Sequence, residues 1–412
     1  KSAATAALPC FLYRKNDHDD KAYSPCDKPL NSQAARGKKA HPDQNGTRTV
    51  FAGGKSSFMS RLHIHIFLGL MILALAACSA PPIQQRHPEV TAAYAEPETA
   101  FFEATRRGDM AVVMRLVEEK IIDVNQTDAY SWTGLMYAIQ NSHAGLAEYL
   151  LLKKARINLQ DKDGLTPLMI AVNERHPDIV EILLESGADA LKQDKHGFTA
   201  LMWAVYNKSW DSIPLLLATG KGLDAQNGFG ETALHLALDY RLYDVATALI
   251  EHNANLNLKD QNGRTPLHLA AERGDAENVR LMIARGAAVA AQNEAGETPL
   301  MKSILSGYTS VAALLVNRPQ DLNLRNTQGQ TALHLAAHAN LPDTVSLLVR
   351  KKINLNVRDR NGQTPLMAAV QAQAERVIVL LLEAGASPAV KDAQGKTALD
   401  LARAGKNPKI VD

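Results

Sequence analysis

Thr265-Pro266-Leu267-His268-Leu269-Ala270 decides how this chain folds, because its pattern returns along most of the 412 residues. Threonine recurs at Thr133, Thr166, Thr199, Thr232, Thr265, Thr298, Thr331, Thr364 and Thr397, and every interval is 33 residues. Two residues after each stands Leu, from Leu135 to Leu399. Five residues after each stands Ala in eight cases of nine, Ser303 being the exception. Nine anchors without an insertion or deletion exclude a chance of composition. A fixed period of this length marks a stacked repeat.

Working outward from the threonine, each position has a physical reason. Gly164, Gly197 and their equivalents stand two residues earlier, where a tight turn needs positive φ. Asp or Asn three residues before each Gly, such as Asp161 and Asn227, suits a local Asx turn. Thr is a good N-cap, and Pro167, Pro266, Pro299 and Pro365 follow at a first helical position. A second amphipathic helix comes next, as in Ile179, Val180, Ile182, Leu183 and Leu184. It ends at Gly187, Gly220, Asn253, Gly286 or Gly385, residues that accept a left-handed cap. Lys154, Pro319 and Lys352 hold that place elsewhere, and a local irregularity is expected there.

The period and the intact signature at Thr265–Ala270 resemble the ankyrin repeat. The resemblance implies an all-α solenoid of stacked helix–turn–helix repeats with β-hairpin-like turns. Residues 100–412 make up that domain: an N-terminal cap over 100–127, repeats anchored from Thr133 to Thr364, and a partial C-terminal cap over 392–412. Ala100 stands where the first Thr would be. Stacked at about 8–10 Å per unit, some ten units span roughly 80–100 Å. Resemblance also places the partner-binding surface at the turn tips and the exposed part of the first helix. Those positions hold Tyr130, Trp132, Lys195, Phe198, Tyr206, Phe229, Tyr240, Arg264 and Arg273. The aromatics among them are expected at tips, where they either anchor a partner or pack on neighbouring turns. Trp203 and Trp210 are expected to face the core.

Chemistry is not expected. His235, His268 and His334 share one signature position, which Met136, Met169, Met202, Met301 and Met367 occupy elsewhere. A site that accepts Met is a packing site, and no second ligand lies at metal spacing. The turn carboxylates recur singly and do not supply the six to eight oxygens calcium wants. Gly53-Gly54-Lys55-Ser56 lacks the earlier glycine and the strand of a phosphate loop. No cofactor, no metal and no enzymatic activity are predicted.

The amino-terminal quarter reads differently. Residues 1–58 show no apolar period and read as disorder, an upstream extension if Met59 is the true start. Residues 59–77 have the three parts of a secretory signal peptide: Arg61 and its neighbours, the apolar run from Ile64 to Leu75, and small residues before Cys78. Leu75-Ala76-Ala77-Cys78 resembles the lipobox of bacterial lipoproteins, which implies a lipidated Cys78. Ser79 after the cysteine implies the periplasmic face of the outer membrane; a cytoplasmic location is the alternative. Residues 79–99, with four prolines, read as a tether. The formal charge of +2 becomes −4 once 1–77 are removed, so no strong field for nucleic acid emerges. The reading is a monomeric, non-catalytic, envelope-anchored module that binds a protein. The alternatives are a structural or stress-protective envelope protein, or a regulator of a secreted enzyme or toxin.

Overall fold

The chain divides into two units, Lys1–Arg86 and His87–Asp412. The computed structural model describes residues 96–405, all in the second unit. Residues 1–95, which carry the expected upstream extension, signal peptide, lipidated Cys78 and most of the expected tether, lie outside the described residues, as do residues 406–412.

Helices follow in pairs: α1 (Pro97–Arg107) with α2 (Met110–Glu118), α3 (Gly134–Gln140) with α4 (Ala144–Leu152), α5 (Pro167–Asn173) with α6 (Pro177–Glu185), and α7 (Ala200–Tyr206) with α8 (Ser212–Ala218). Then come α9 (Ala233–Asp239) with α10 (Tyr243–Glu251), α11 (Pro266–Arg273) with α12 (Ala276–Ala284), and α13 (Pro299–Leu305) with α14 (Thr309–Val316). The series closes with α15 (Ala332–His338) and α16 (Pro342–Arg350), α17 (Pro365–Gln371) and α18 (Glu375–Glu383), and α19 (Ala398–Ala404). First helices stack on first helices and second on second, as an all-α solenoid requires.

From α3 onward, each first helix begins because its threonine is extended and turns its hydroxyl inward, whereas α1 starts after Glu96 with no side-chain cap. In the five Met repeats Thr Oγ1 accepts the backbone N–H three residues on at 3.2–3.3 Å. In the His repeats the imidazole joins in. Nδ1 of His268 accepts the Thr265 N–H at 3.1 Å, and Nε2–H donates to the Glu297 carbonyl of the next repeat at 3.0 Å. His235 and His334 repeat this link to Arg264 and Gln363. These histidines are structural, and burial holds His268 down at a pKa of about 4. The core is made of the same registers in the units from α3 to α18: in the second of these all seven residues from Thr166 to Val172 are buried, with Ile179, Val180 and Leu183 covering them.

The turns are held by their Asp or Asn. Asp161 Oδ1 accepts N–H groups from Asp163 at 2.9 Å and Leu165 at 2.8 Å. Gly164 is left-handed at φ +81°, and a Cβ there would sit 2.9 Å from Asp194 Cα in the next turn. Both its conformation and its close neighbour demand glycine. Adjacent tips are joined backbone to backbone, from Lys162 N–H to the Tyr130 carbonyl through to Ala393 N–H to the Asn361 carbonyl, eight bonds of 2.7–3.2 Å. They do not amount to strands: among the described residues the pairing is a single bridge, Thr127 to Thr133.

Four expectations need correction. Helix α1 starts at Pro97, so the tether cannot run to 99; Pro97 sits in the first turn after Glu96 and adds three residues to the cap. Lys154 and Lys352 keep the left-handed cap, at φ 71° and 53°, so the stack is regular at both. The cost of that conformation without glycine is about 1–2 kcal/mol. At Pro319 the irregularity does occur, and the Gln320 side chain caps the Leu315 carbonyl instead. Trp210 does not face the core: α8 begins late, at Ser212, which leaves Trp210 on the preceding bend and 54% exposed.

Candidate partner-binding surface

The side chain one residue before each threonine decides what a tip can offer. The turn Asp or Asn uses one oxygen on backbone N–H groups, and its second atom needs a partner. Where the turn residue is Asp260, Arg264 Nε donates to its free oxygen at 2.6 Å. Where it is Asn227, the amide donates to Glu231 at 3.0 Å; Asn293 does the same to Glu297 at 3.1 Å. Asp pairs with a donor and Asn with an acceptor. Arg264 is therefore a turn strut and not a free cation for a partner.

Tryptophans solve the same problem from two registers. Trp132 Nε1 donates across the repeat boundary to Asp161 Oδ2 at 3.0 Å, and Trp203 Nε1 donates to Asp194 Oδ2 at 3.0 Å. Burial raises the Asp161 carboxyl above its ordinary range, opposed by the N–H groups of Leu165 and Asp163 and by Trp132. Trp132 packs on Tyr137, centroids 5.0 Å apart, and is only 7% exposed. Phe198 packs on Trp203 and Tyr206 and is 8% exposed. The expectation that both lie open at tips is thus corrected. Each is large enough to fold back over its own first helix, where it gains more by burial than at the tip.

What remains exposed is an aromatic strip along α7 and α9. Tyr206, 39% exposed, meets Trp203 at 6.0 Å and Tyr240 at 5.8 Å, both edge-on. Burial first, then the nearby Tyr206, Glu231 and Asp239, push the half-buried Tyr240 up to about 12. Burial likewise raises Glu231. Trp203, expected to face the core, is instead half-buried in this strip, because its indole N–H reaches back to Asp194 nine residues earlier. Phe229 is 37% exposed at its turn tip, and Tyr130 is exposed at another.

The cations divide. Lys195 reaches Asp163 at 4.0 Å on an open surface, a pair worth little and readily exchanged. Arg273 is bound to Asp239 of the preceding repeat, and that bond raises its pKa further. Beside it Lys302 bridges Glu272 at 3.1 Å and Glu297 at 3.6 Å. Arg273 Nε and Glu272 Oε2 nonetheless stay buried without a hydrogen-bond partner, two polar atoms at the edge of the strip.

Among the described residues no group of three or more His, Cys, Asp or Glu stands where it could hold a metal ion, and no helix is long and apolar enough to cross a membrane. No curated protein matches the chain. The family model for ankyrin repeats (3 copies) matches it in overlapping stretches: residues 70–161, 146–227, 191–260, 210–293, 253–326, 285–359, 311–392 and 343–412. With the threonine caps, the Asx turns and the paired helices all in that register, the chain belongs to the ankyrin-repeat family.

Proposed function

We propose that this ankyrin array is a non-catalytic recognition module that binds a protein partner over the Trp203–Tyr206–Tyr240 strip. The observation that carries the reading is Tyr206, an exposed ring held edge-on by Phe198, Trp203 and Tyr240. A rigid aromatic gives up little conformational freedom on binding and buries a large area, which is why such rings anchor interfaces. Phe229, Tyr130 and the loosely paired Lys195 extend the surface along the tips, and Arg273 borders it. On the sequence reading the module is a monomer held by lipid on Cys78 at the periplasmic face of the outer membrane.

Affinity capture from envelope extracts, quantified for wild type against Tyr206→Ala with Tyr240→Ala and Phe229→Ala, tests the surface. A specific client should fall to background with the triple variant; capture that is unchanged removes the strip from consideration. Metabolic palmitate labelling of wild type against Cys78→Ser tests the anchor separately, and an unlabelled wild type defeats it.

A further inference from the structure

Charge is divided unevenly along the array. Residues 96–316 hold 20 Lys+Arg against 29 Asp+Glu, whereas residues 317–405 hold 11 against 7. Ion pairing follows the same division. Every ion pair among the described residues lies between Glu103 and Lys302. Beyond 317 most carboxylates are turned to their own backbone. Asp321, Asp359 and Asp392 accept N–H groups in their turns, and Asp400 caps α19. Asp343 and Glu375 sit in the first turns of α16 and α18, where the helix dipole favours them. The basic side chains of this third are left without ion-pair partners among the described residues.

The last three turns gather them into a line. Arg325, Arg358 and Lys391 occupy the position six before the threonine, one repeat apart, and all are exposed; Arg360 and Lys396 flank them. Earlier repeats show that this position stacks. Gln160 donates to the Gln193 carbonyl at 2.8 Å, and Gln292 to the Arg325 carbonyl at 3.0 Å. Tip-to-tip bonds carry the stack onward, with Arg360 N–H to the Gln328 carbonyl at 3.0 Å and Ala393 N–H to the Asn361 carbonyl at 2.9 Å. Five cations therefore share a ridge with two carboxylates, Asp359 and Asp392, each already holding backbone N–H groups.

We propose that this ridge is a second interaction surface, separate from the aromatic strip, and that it takes an extended acidic segment of a partner protein. Charge complementarity is the first argument. Spacing is the second: repeats about 8–10 Å apart match a carboxylate at every third residue of a segment in the extended polyproline II form, which rises ~3.1 Å per residue and returns to the same face every third residue. The exposed amides of Gln328 and Gln394 lie on the same turns and suit the segment's backbone. A nucleic acid or an anionic bilayer fits less well. Either continues past the ridge and meets the acidic remainder of the array, whose sign is its own.

The test uses the full chain and a fluorescent peptide of about eighteen residues, with Glu at every third place among Ser and Gly. Binding is read by anisotropy at low salt. The ridge variant is Arg325→Gln with Arg358→Gln and Lys391→Gln, which installs the residue earlier repeats carry in this register and so keeps the turn. The control is Lys208→Gln with Lys221→Gln and Arg241→Gln, three exposed cations of the acidic part. Losing three exposed charge pairs should weaken the peptide roughly tenfold, the control less than about twofold, and added salt should erase the difference. Equal weakening by both variants, or by neither, overturns the proposal. So does tighter binding of single-stranded DNA or of phosphatidylglycerol vesicles than of the peptide. Ridge-dependent self-association in sedimentation would make the occupant a second copy and overturn it too.

Discussion

Lowering the pH from 7.5 to 5.0 should destabilise the repeat around His268 by about 2 kcal/mol through that one side chain. In the fold the imidazole is buried and its Nδ1 accepts the Thr265 N–H, so a proton on Nδ1 would set two donors against each other. Burial accordingly drives its pKa from 6.5 to about 4. In the unfolded chain it protonates near 6.5. Between those values the unfolded state binds more protons, so stability falls as pH falls. The loss begins near 6.5 and is complete below about 4, where both states are protonated. Burial lowers His235 and His334 in the same direction, so a control is needed to isolate one group. His268→Met supplies it, because Met holds this position in five other repeats. Hydrogen exchange of the Leu267–Arg273 amides at the two pH values suits an array that can open repeat by repeat. The variant should lose about 2 kcal/mol less than wild type on acidification. Equal losses in the two proteins, or an imidazole that titrates near 6.5 by NMR, would refute the reasoning.

Two further outcomes separate packing from surface. Phe198→Ala should cost about 3–5 kcal/mol in denaturant unfolding, whereas Tyr206→Ala should cost less than about 1 kcal/mol. The reverse order would place the wrong ring in the interface. Asn227→Asp sets a carboxylate against Glu231 and should cost about 1–3 kcal/mol; adding Glu231→Arg, which recreates the Asp260–Arg264 arrangement, should recover most of it. A double-mutant cycle with no coupling would sink the pairing rule.

The fold was legible because its determinants are local and recur: a threonine that caps, a glycine forced by the next turn, a leucine two residues on. The site was less so. Tip position suggested that Trp132 and Phe198 are exposed, yet an indole or phenyl ring is long enough to fold back and be buried by its own helix. Trp210 failed in the opposite sense, since the helix it was expected to join starts two residues later. The donor–acceptor match between Asp260, Asn227 or Asn293 and the side chain four residues on was present in the sequence. It would have marked Arg264 as a strut. The Arg273–Asp239 pair, by contrast, joins residues 34 apart on helices whose relative rotation no local pattern encodes.

The line of hydrogen bonds between turn tips uses backbone atoms alone, from Tyr130 to Ala393. Position and composition are thereby uncoupled at the residues four and three before each threonine, which carry these bonds, though not at the one directly before it. Phenylalanine, lysine, glutamine or arginine can be exchanged there while the main chain stays where its neighbour holds it. Each tip is thus an address with an open occupant. A new specificity can be written one repeat at a time, without renegotiating the scaffold that displays it.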